Sequence, residues 1–498
     1  MNPPETPPAP TTPKRRSRWR WPMRAVLALV LLFVGAVIVY AVEWKLTRRA
    51  GQKKLDAATA RLDAEDPGWR FEEIVADHNA KVPPPESNSA LRAVEIAKAF
   101  PPRSDLQTSL DTVYTKVAEG RLPNELPPQA DWDELESQYG GYEKGIAELR
   151  KWDAGTPRGR LSMDLNRFDG RDPLDLRHGD SFTFLTTSFA LWWDSVRWAH
   201  KGNPGKALGA AAANLHLIRS VDFEPMITAQ LIRLGRPDAA VKSVEQTLAW
   251  CRSADDTTLK EMQELMGREA TRVPVLPTFR GERAYAMRRL ELFDRGEHRL
   301  VDRPLTTSER LLMVHLRQFV PDNAALVDER IVSLAATVAL APGQRAATLK
   351  EWKSRPSNGR TFPFNLPTNL AATVMPPADR LVLAGLRHDA RCLCAEAGIA
   401  CERFRLKHGC WPKSLDDLQA FGIPKGPVDP FDGEPLRYRI EEDGVCIYSV
   451  GENGIDDGGD THRREGKPED TGFRLWNPAK RRVPITEVPP DEAPPPNP

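Results

Sequence analysis

Cysteine is scarce in this chain: six in 498 residues, too few and too scattered for a disulfide scaffold or a metal finger. An excess of either charge is missing too, with Lys and Arg totalling 70 against 69 Asp and Glu. Nucleic acid is therefore not an expected partner, because its recognition shows as a basic surplus on one domain. None of the nine histidines stands in a zinc spacing such as His-Glu-x-x-His, and there is no Gly-x-Ser-x-Gly elbow or phosphate-cradling glycine loop. These absences leave no catalytic or cofactor-binding residue to assign and favour a non-enzymatic role. Long apolar runs are also missing, with one exception.

That exception, Ala25 to Val42, carries no charge and a single Gly. At 1.5 Å per residue it spans roughly 27 Å, enough to cross the hydrocarbon core. It reads as an uncleaved transmembrane anchor. The alternative is a signal peptide cut after Val39-Tyr40-Ala41, but the run exceeds the usual ~7–15-residue signal core. Trp19, Trp21 and Trp44 flank it where interfacial aromatics belong. Lys14, Arg15, Arg16, Arg18, Arg20 and Arg24 precede it, and Lys45, Arg48, Arg49, Lys53 and Lys54 follow. The count slightly favours a cytoplasmic N-terminus and an extracytoplasmic body, with both clusters meeting lipid headgroups.

Proline divides the remainder. Residues 1–14 and 479–498 are Pro-rich with almost nothing to bury, hence expected as disordered tails. Residues 15–50 are the basic flank and anchor. Residues 51–155 form a membrane-proximal helical region: Gln52 to Ala64, Ser89 to Ala99, Ser104 to Ala118 and Trp132 to Trp152. Residues 156–180, polar and carrying Gly and Pro, read as a loop or domain joint. A helical body follows over 181–353. In it Asn203 caps, Pro204 takes a first-turn position, and Ala207, Ala211, Ala212 and Ala213 let a neighbouring helix approach. Further helices are expected at Asp256–Glu269, Glu282–Arg295, Thr307–Phe319 and Ala324–Leu340. The layout resembles one tetratricopeptide-type unit without a second copy, so an irregular bundle or short solenoid is expected. Residues 354–376 read as a linker into a last unit, 377–478.

In that unit Leu383, Leu386, Ala390, Leu393, Ala397, Ala400 and Phe404 alternate by three and four, a stripe that some other element must cover. Cys392, Cys394 and Cys401 on the same helix read as small buried residues, since the last two stand roughly 10 Å apart along the axis, beyond disulfide reach. Cys410 and Cys446 either pair or remain free thiols. The helix stops at Gly409, and Ser414 with Asp417 forms a capping box. Two strands, Leu436–Glu441 and Val445–Val450, flank Asp443-Gly444, the preferred pair for a type I′ hairpin. The unit is thus a small α+β head, a long helix on an antiparallel hairpin sheet, at the end of a mainly α chain.

The ordered string "HGCWP", "SLDDL", "DPFDGEPLRYR", hairpin and "YSVGENGIDDGGD" resembles the C-terminal globular part of the type II secretion major pseudopilin, over about residues 380 to 476. The whole chain is similar to uncharacterised bacterial single-pass membrane proteins with that ending. The resemblance implies a calcium site using the Val450 carbonyl, Asn453 where the family usually has Asp, and Asp470. Oxygen density supports it: Asn453, Asp456, Asp457, Asp460 and Asp470 offer hard ligands of the kind calcium takes at roughly 2.3–2.6 Å. The family's processed N-terminus is absent, as the apolar run has neither the preceding Gly nor the internal Glu.

Two further groups invite a catalytic reading, His408 to Cys410 ("HGC") and Arg177 to Asp180 ("RHGD"). Adjacent residues seldom face one substrate atom, so the first is better explained by a helix end; the second lies in a polar loop, where function concentrates. Phe184, Trp192, Trp193 and Trp198 at helical spacing are expected as core. The leading expectation is a membrane-anchored envelope protein that contacts as yet unidentified protein partners. The alternatives are an extracytoplasmic hydrolase within residues 156–370, which a deep pocket holding His178 and Asp180 would support, and a part of a type II secretion or pilus-like machine.

Overall fold

The computed structural model describes residues 20–101, 122–153, 155–156, 158–165, 180–219, 225–235, 237–270, 275–297, 306–354, 370–375, 378–423, 426–459, 461 and 470–484. The helix expected over Ser104 to Ala118, His178 and Asp460 lie outside them, and of Asp180 the backbone alone is described.

Helix α1 (Arg20–Glu65) is continuous and changes character along its length. Through the apolar run its side chains stand open: Leu27, Leu31, Phe33 and Val39 are all more than half exposed, and none of the most apolar window is buried. Beyond it the helix enters a core, with Leu62 only 2% exposed. Helix α2 (Phe71–Ala80) follows, then α3 (Ser89–Lys98), capped by the Asn88 side chain on Leu91 N–H. A short strand β1 (Glu125–Leu126) precedes α4 (Gln129–Tyr139) and α5 (Glu143–Leu149). One helix was expected over Trp132 to Trp152; Gly140-Gly141 splits it, as two adjacent poor helix formers do.

Helices α6 (Asp180–His200) and α7 (Pro204–Ile218) make the anticipated hairpin. Asn203 accepts Lys206 N–H at 3.0 Å, and Ala207, Ala211 and Ala213 are fully buried. Next come α8 (Ile227–Gly235), α9 (Pro237–Trp250) and α10 (Asp256–Glu269), the last capped by Asp255. Helix α11 (Val275–Arg295) starts earlier than Glu282. Helix α12 (Thr307–Leu316) runs through a 3₁₀ turn, Arg317–Phe319, into α13 (Val320–Val338). That helix begins before Ala324 because Pro321 occupies its first turn, where proline is tolerated. Helix α14 (Gln344–Ser354) was not anticipated, nor was α15 (Leu370–Val374), which lies inside the expected linker with Leu370, Ala371 and Val374 buried.

Helix α16 (Ala378–His408) ends at Gly409, whose φ is +76°. Its apolar surface is covered from two sides. Leu215 of α7, Val244 of α9 and Leu265 of α10 share one buried cluster with Cys394, Ile399 and Ala400 of α16 and with Ile447 and Phe473 of the sheet. The C-terminal unit therefore shares its core with the helical body. The sheet contains β2 (Arg437–Glu441), β3 (Gly444–Ser449) and β4 (Thr471–Trp476), antiparallel in that order; β4 was not anticipated.

The hairpin is present, but its turn is displaced. Glu441 pairs with Gly444, so Glu442 and Asp443 form the loop, and neither has positive φ. Gly444 is instead the first residue of β3, where any Cβ would overlap the Leu475 carbonyl of β4. Neighbour contact, not turn geometry, requires glycine there. The tail expected from residue 479 starts ordered: β5 (Val483–Pro484) pairs with β1, and Arg481 is buried. All six cysteines are free, Cys410 exposed and Cys446 buried in β3, which settles their two options in favour of thiols.

Candidate functional site

The acidic turn after β3 is built outward from a buried carboxylate. Asp429, fully buried, accepts Phe431 N–H at 2.9 Å, Ser449 O–H at 2.7 Å and Val450 N–H at 3.0 Å, and pairs with Arg437 at 2.9 Å. Burial raises its pKa, and the three hydrogen bonds oppose that rise. Asp429 thus ties the "DPFDG" loop to the end of β3 and fixes where the chain leaves Val450. The sequence signal, Asp-Pro ahead of a strand, marks a turn without indicating this bracing role.

Beyond Val450 the expected ligand residues come together in part. Asp470, 2% exposed, reaches back across the turn and accepts Gly459 N–H at 2.7 Å and Asp457 N–H at 3.4 Å. Asp456 accepts Gly458 N–H at 2.9 Å and Tyr448 O–H at 3.1 Å. Asn453 donates to Asp457 at 2.8 Å and accepts Ile455 N–H at 3.0 Å. Burial raises the Asp470 pKa; its two backbone hydrogen bonds oppose this, and the nearby charges of Asp457 and Asp456 add to it. The donor set is all oxygen, as a hard divalent cation prefers. In this conformation those oxygens are directed at N–H and O–H groups. Among the described residues no group of three His, Cys, Asp or Glu side chains converges on one point.

The other motifs take structural positions. His408 packs on Phe404 and Phe421, at 4.4 and 6.1 Å between ring centroids, while Cys410 is exposed. Burial raises the Cys446 thiol to about 12 and the Cys394 thiol well above its ordinary value, so neither is poised as a nucleophile. Trp192 and Trp193 are core; Trp193 meets Tyr139 and Tyr142 edge-on at 5.5 and 5.3 Å.

A groove of about 490 Å³ opens beside the packed half of α1. Its apolar floor is Leu55, Trp69, Phe71, Met287, Val320 and Ala324, and its rim carries Arg70, Glu72, Arg288, Glu291 and Asp294. The rim charges are paired, Arg288 with Glu72 at 2.7 Å and Asp294 with Arg48 at 2.6 Å. Sequence reading missed it because its walls come from four separate segments. Compared with family models, curated proteins and solved structures, the chain matches none.

Proposed function

We propose that this chain is a single-pass envelope protein whose body is held rigidly at a membrane surface and presents the C-terminal unit to protein partners. The observation that carries the proposal is α1 itself. One unbroken helix is open and apolar over Ala25 to Val42 and then locked into the body, without an intervening hinge. Gly51 allows that close docking, since a Cβ there would come within 2.7 Å of Asp322 N. Lys54 pairs with Asp322 at 2.6 Å, and Arg61 pairs with Asp328. Such a helix transmits the membrane's position directly to the body, which suits an anchor better than a segment removed during export.

The contact surface we favour is the C-terminal sheet, read as a pseudopilin-like head. Among the described residues β2 is an outer strand, and its Ile440 is 55% exposed, an arrangement that can accept a partner's strand. Calcium would hold the adjoining turn through the Val450 carbonyl, Asn453, Asp456, Asp457, Asp460 and Asp470, exchanging backbone hydrogen bonds for the ion. The N-terminus is cytoplasmic in this reading, and the body lies outside.

Cys410 supplies the test of topology, being the exposed thiol of the six. A membrane-impermeant maleimide should label it in intact spheroplasts, and Cys410→Ser should abolish the labelling. Labelling that appears only after detergent lysis reverses the orientation. Release of the protein by alkaline carbonate refutes the anchor. A photo-crosslinker at position 440 should give a discrete adduct, and failure to form one removes the sheet contact.

A further inference from the structure

We propose that α12 is a second membrane contact, an in-plane amphipathic helix that seats Leu311 and Val314 in the leaflet next to the body. The inference rests on the reading of α1 as an uncleaved anchor. Tyr40 lies two positions before the end of the apolar run, about 3 Å inside it at 1.5 Å per residue. Its hydroxyl is 2.8 Å from His315 Nδ1, and the two rings stack at 5.7 Å between centroids. The C-terminal end of α12 is therefore level with the edge of the bilayer.

The contacts that follow fix the direction of the chain. Arg48 donates to the Arg317 carbonyl at 3.0 Å, Lys54 meets Asp322, and Arg61 meets Asp328. Partners ascend both helices together, so α13 climbs away from the membrane alongside α1. Helix α12, which precedes it, stays on the membrane side.

The two faces of α12 have different surroundings. Leu316 is buried, and Leu312 and Met313 pack on the cluster that includes Leu316, Val320 and Phe293. Leu311 and Val314, one turn apart, are 68% and 55% exposed. The N-terminal end is polar: Thr306 and Glu309 form a capping box, with exposed Ser308 and Arg310 beside them. Descent along α1 would carry these groups into hydrocarbon, where polar and charged side chains are disfavoured. Lying along the surface places them among headgroups and the two apolar side chains in lipid, as in monotopic amphipathic helices.

The test uses the full chain with Cys410→Ser, reconstituted in phosphatidylcholine–phosphatidylglycerol vesicles; the five other thiols are buried. A single added cysteine at Leu311→Cys, Val34→Cys or Ile455→Cys carries an environment-sensitive fluorophore. The Leu311 label should emit blue-shifted, lose at least about half its emission to lipids bearing a shallow acyl nitroxide, and resist aqueous iodide, as expected for interfacial insertion. The label at Ile455, itself 60% exposed, should behave as aqueous. If the Leu311 label matches the Ile455 label while the Val34 label is lipid-like, the anchor stands and the inference is overturned. A Leu311 label shielded from iodide yet unquenched by nitroxide lipid means a protein surface covers α12, which also overturns it. If the Val34 label is aqueous, the anchor reading fails and takes the inference with it.

Discussion

Changing Glu402 to Gln should weaken the whole C-terminal unit, because the carboxylate neutralises a guanidinium that has no access to water. Glu402 of α16 is fully buried and takes Arg481 at 2.8 and 3.1 Å and Arg405 at 2.6 and 2.9 Å. The Arg481 side chain is likewise unexposed and also donates to the Trp476, Cys251 and Arg252 carbonyls at 2.9, 2.9 and 3.2 Å. Burial pushes the Glu402 pKa up, but Arg405 and Arg481 outweigh it and the net value lies below the ordinary range. Gln keeps the shape and leaves Arg481 charged and uncompensated, a loss of about 3–5 kcal/mol. At ~2.1 cal/mol/K per residue over the roughly 440 residues from Glu43 to Pro484, unfolding entropy is ~0.9 kcal/mol/K, so Tm falls by about 3–6 °C. Thermal unfolding of the detergent-solubilised protein by far-UV circular dichroism reads this. Combining Glu402→Leu with Arg481→Met should recover part of the loss, the shortfall coming from three carbonyls deprived of their donor. A depressed carboxylate stabilises above its unfolded pKa of about 4.3 and loses that contribution as pH falls through its lower folded value. The gap between the two proteins should therefore be constant from about pH 8 to 5 and close below about pH 4. A Tm for Glu402→Gln within about 1 °C of the parent at pH 7 refutes the reasoning.

Gly398→Val should lower the urea midpoint by the equivalent of at least about 1–3 kcal/mol, since a Cβ there overlaps the Phe473 ring and forces α16 and β4 apart; an unchanged midpoint means the two elements are not in contact. Burial raises Glu282, which accepts Ile227 N–H, to about 7. A raised acid stabilises fully below its unfolded pKa and loses this as pH climbs through the folded one, so Glu282→Gln should be near neutral at pH 4. At pH 8 it should stabilise by up to about 3 kcal/mol, and a melting series across pH that shows parallel curves rejects this. Calcium at about 100 times its Kd should add about 2.7 kcal/mol to the folded state, seen as a rise in melting temperature that Asp470→Asn removes; with no rise in the parent, the calcium proposal is withdrawn.

Some of this architecture was legible because it depends on neighbours in sequence. Asn203-Pro204 opening α7 and Gly409 ending α16 are local hydrogen-bonding and φ requirements, satisfied within a turn. The buried stripe of α16 was visible from its three-four spacing. Its two covers were not, because α10 and β4 arrive from distant parts of the chain. Asp443-Gly444 located the hairpin but misplaced its turn, since Gly444 answers to Leu475 across the sheet. In the acidic turn, composition pointed to the oxygen-bearing residues, while the backbone donors that Asp470 and Asp456 meet depend on the path set by Asp429.

The sequence by itself determined the long apolar N-terminal helix, the mainly helical class and several helix ends, all governed by local hydrophobicity and backbone chemistry. Only tertiary structure decided that the C-terminal unit shares the body's core and that Arg481 closes onto Glu402, 79 positions away. It also decided that α12 lies beside Tyr40, 275 positions before His315. Those contacts follow from shape and charge matching between remote surfaces, which no periodicity along the chain encodes.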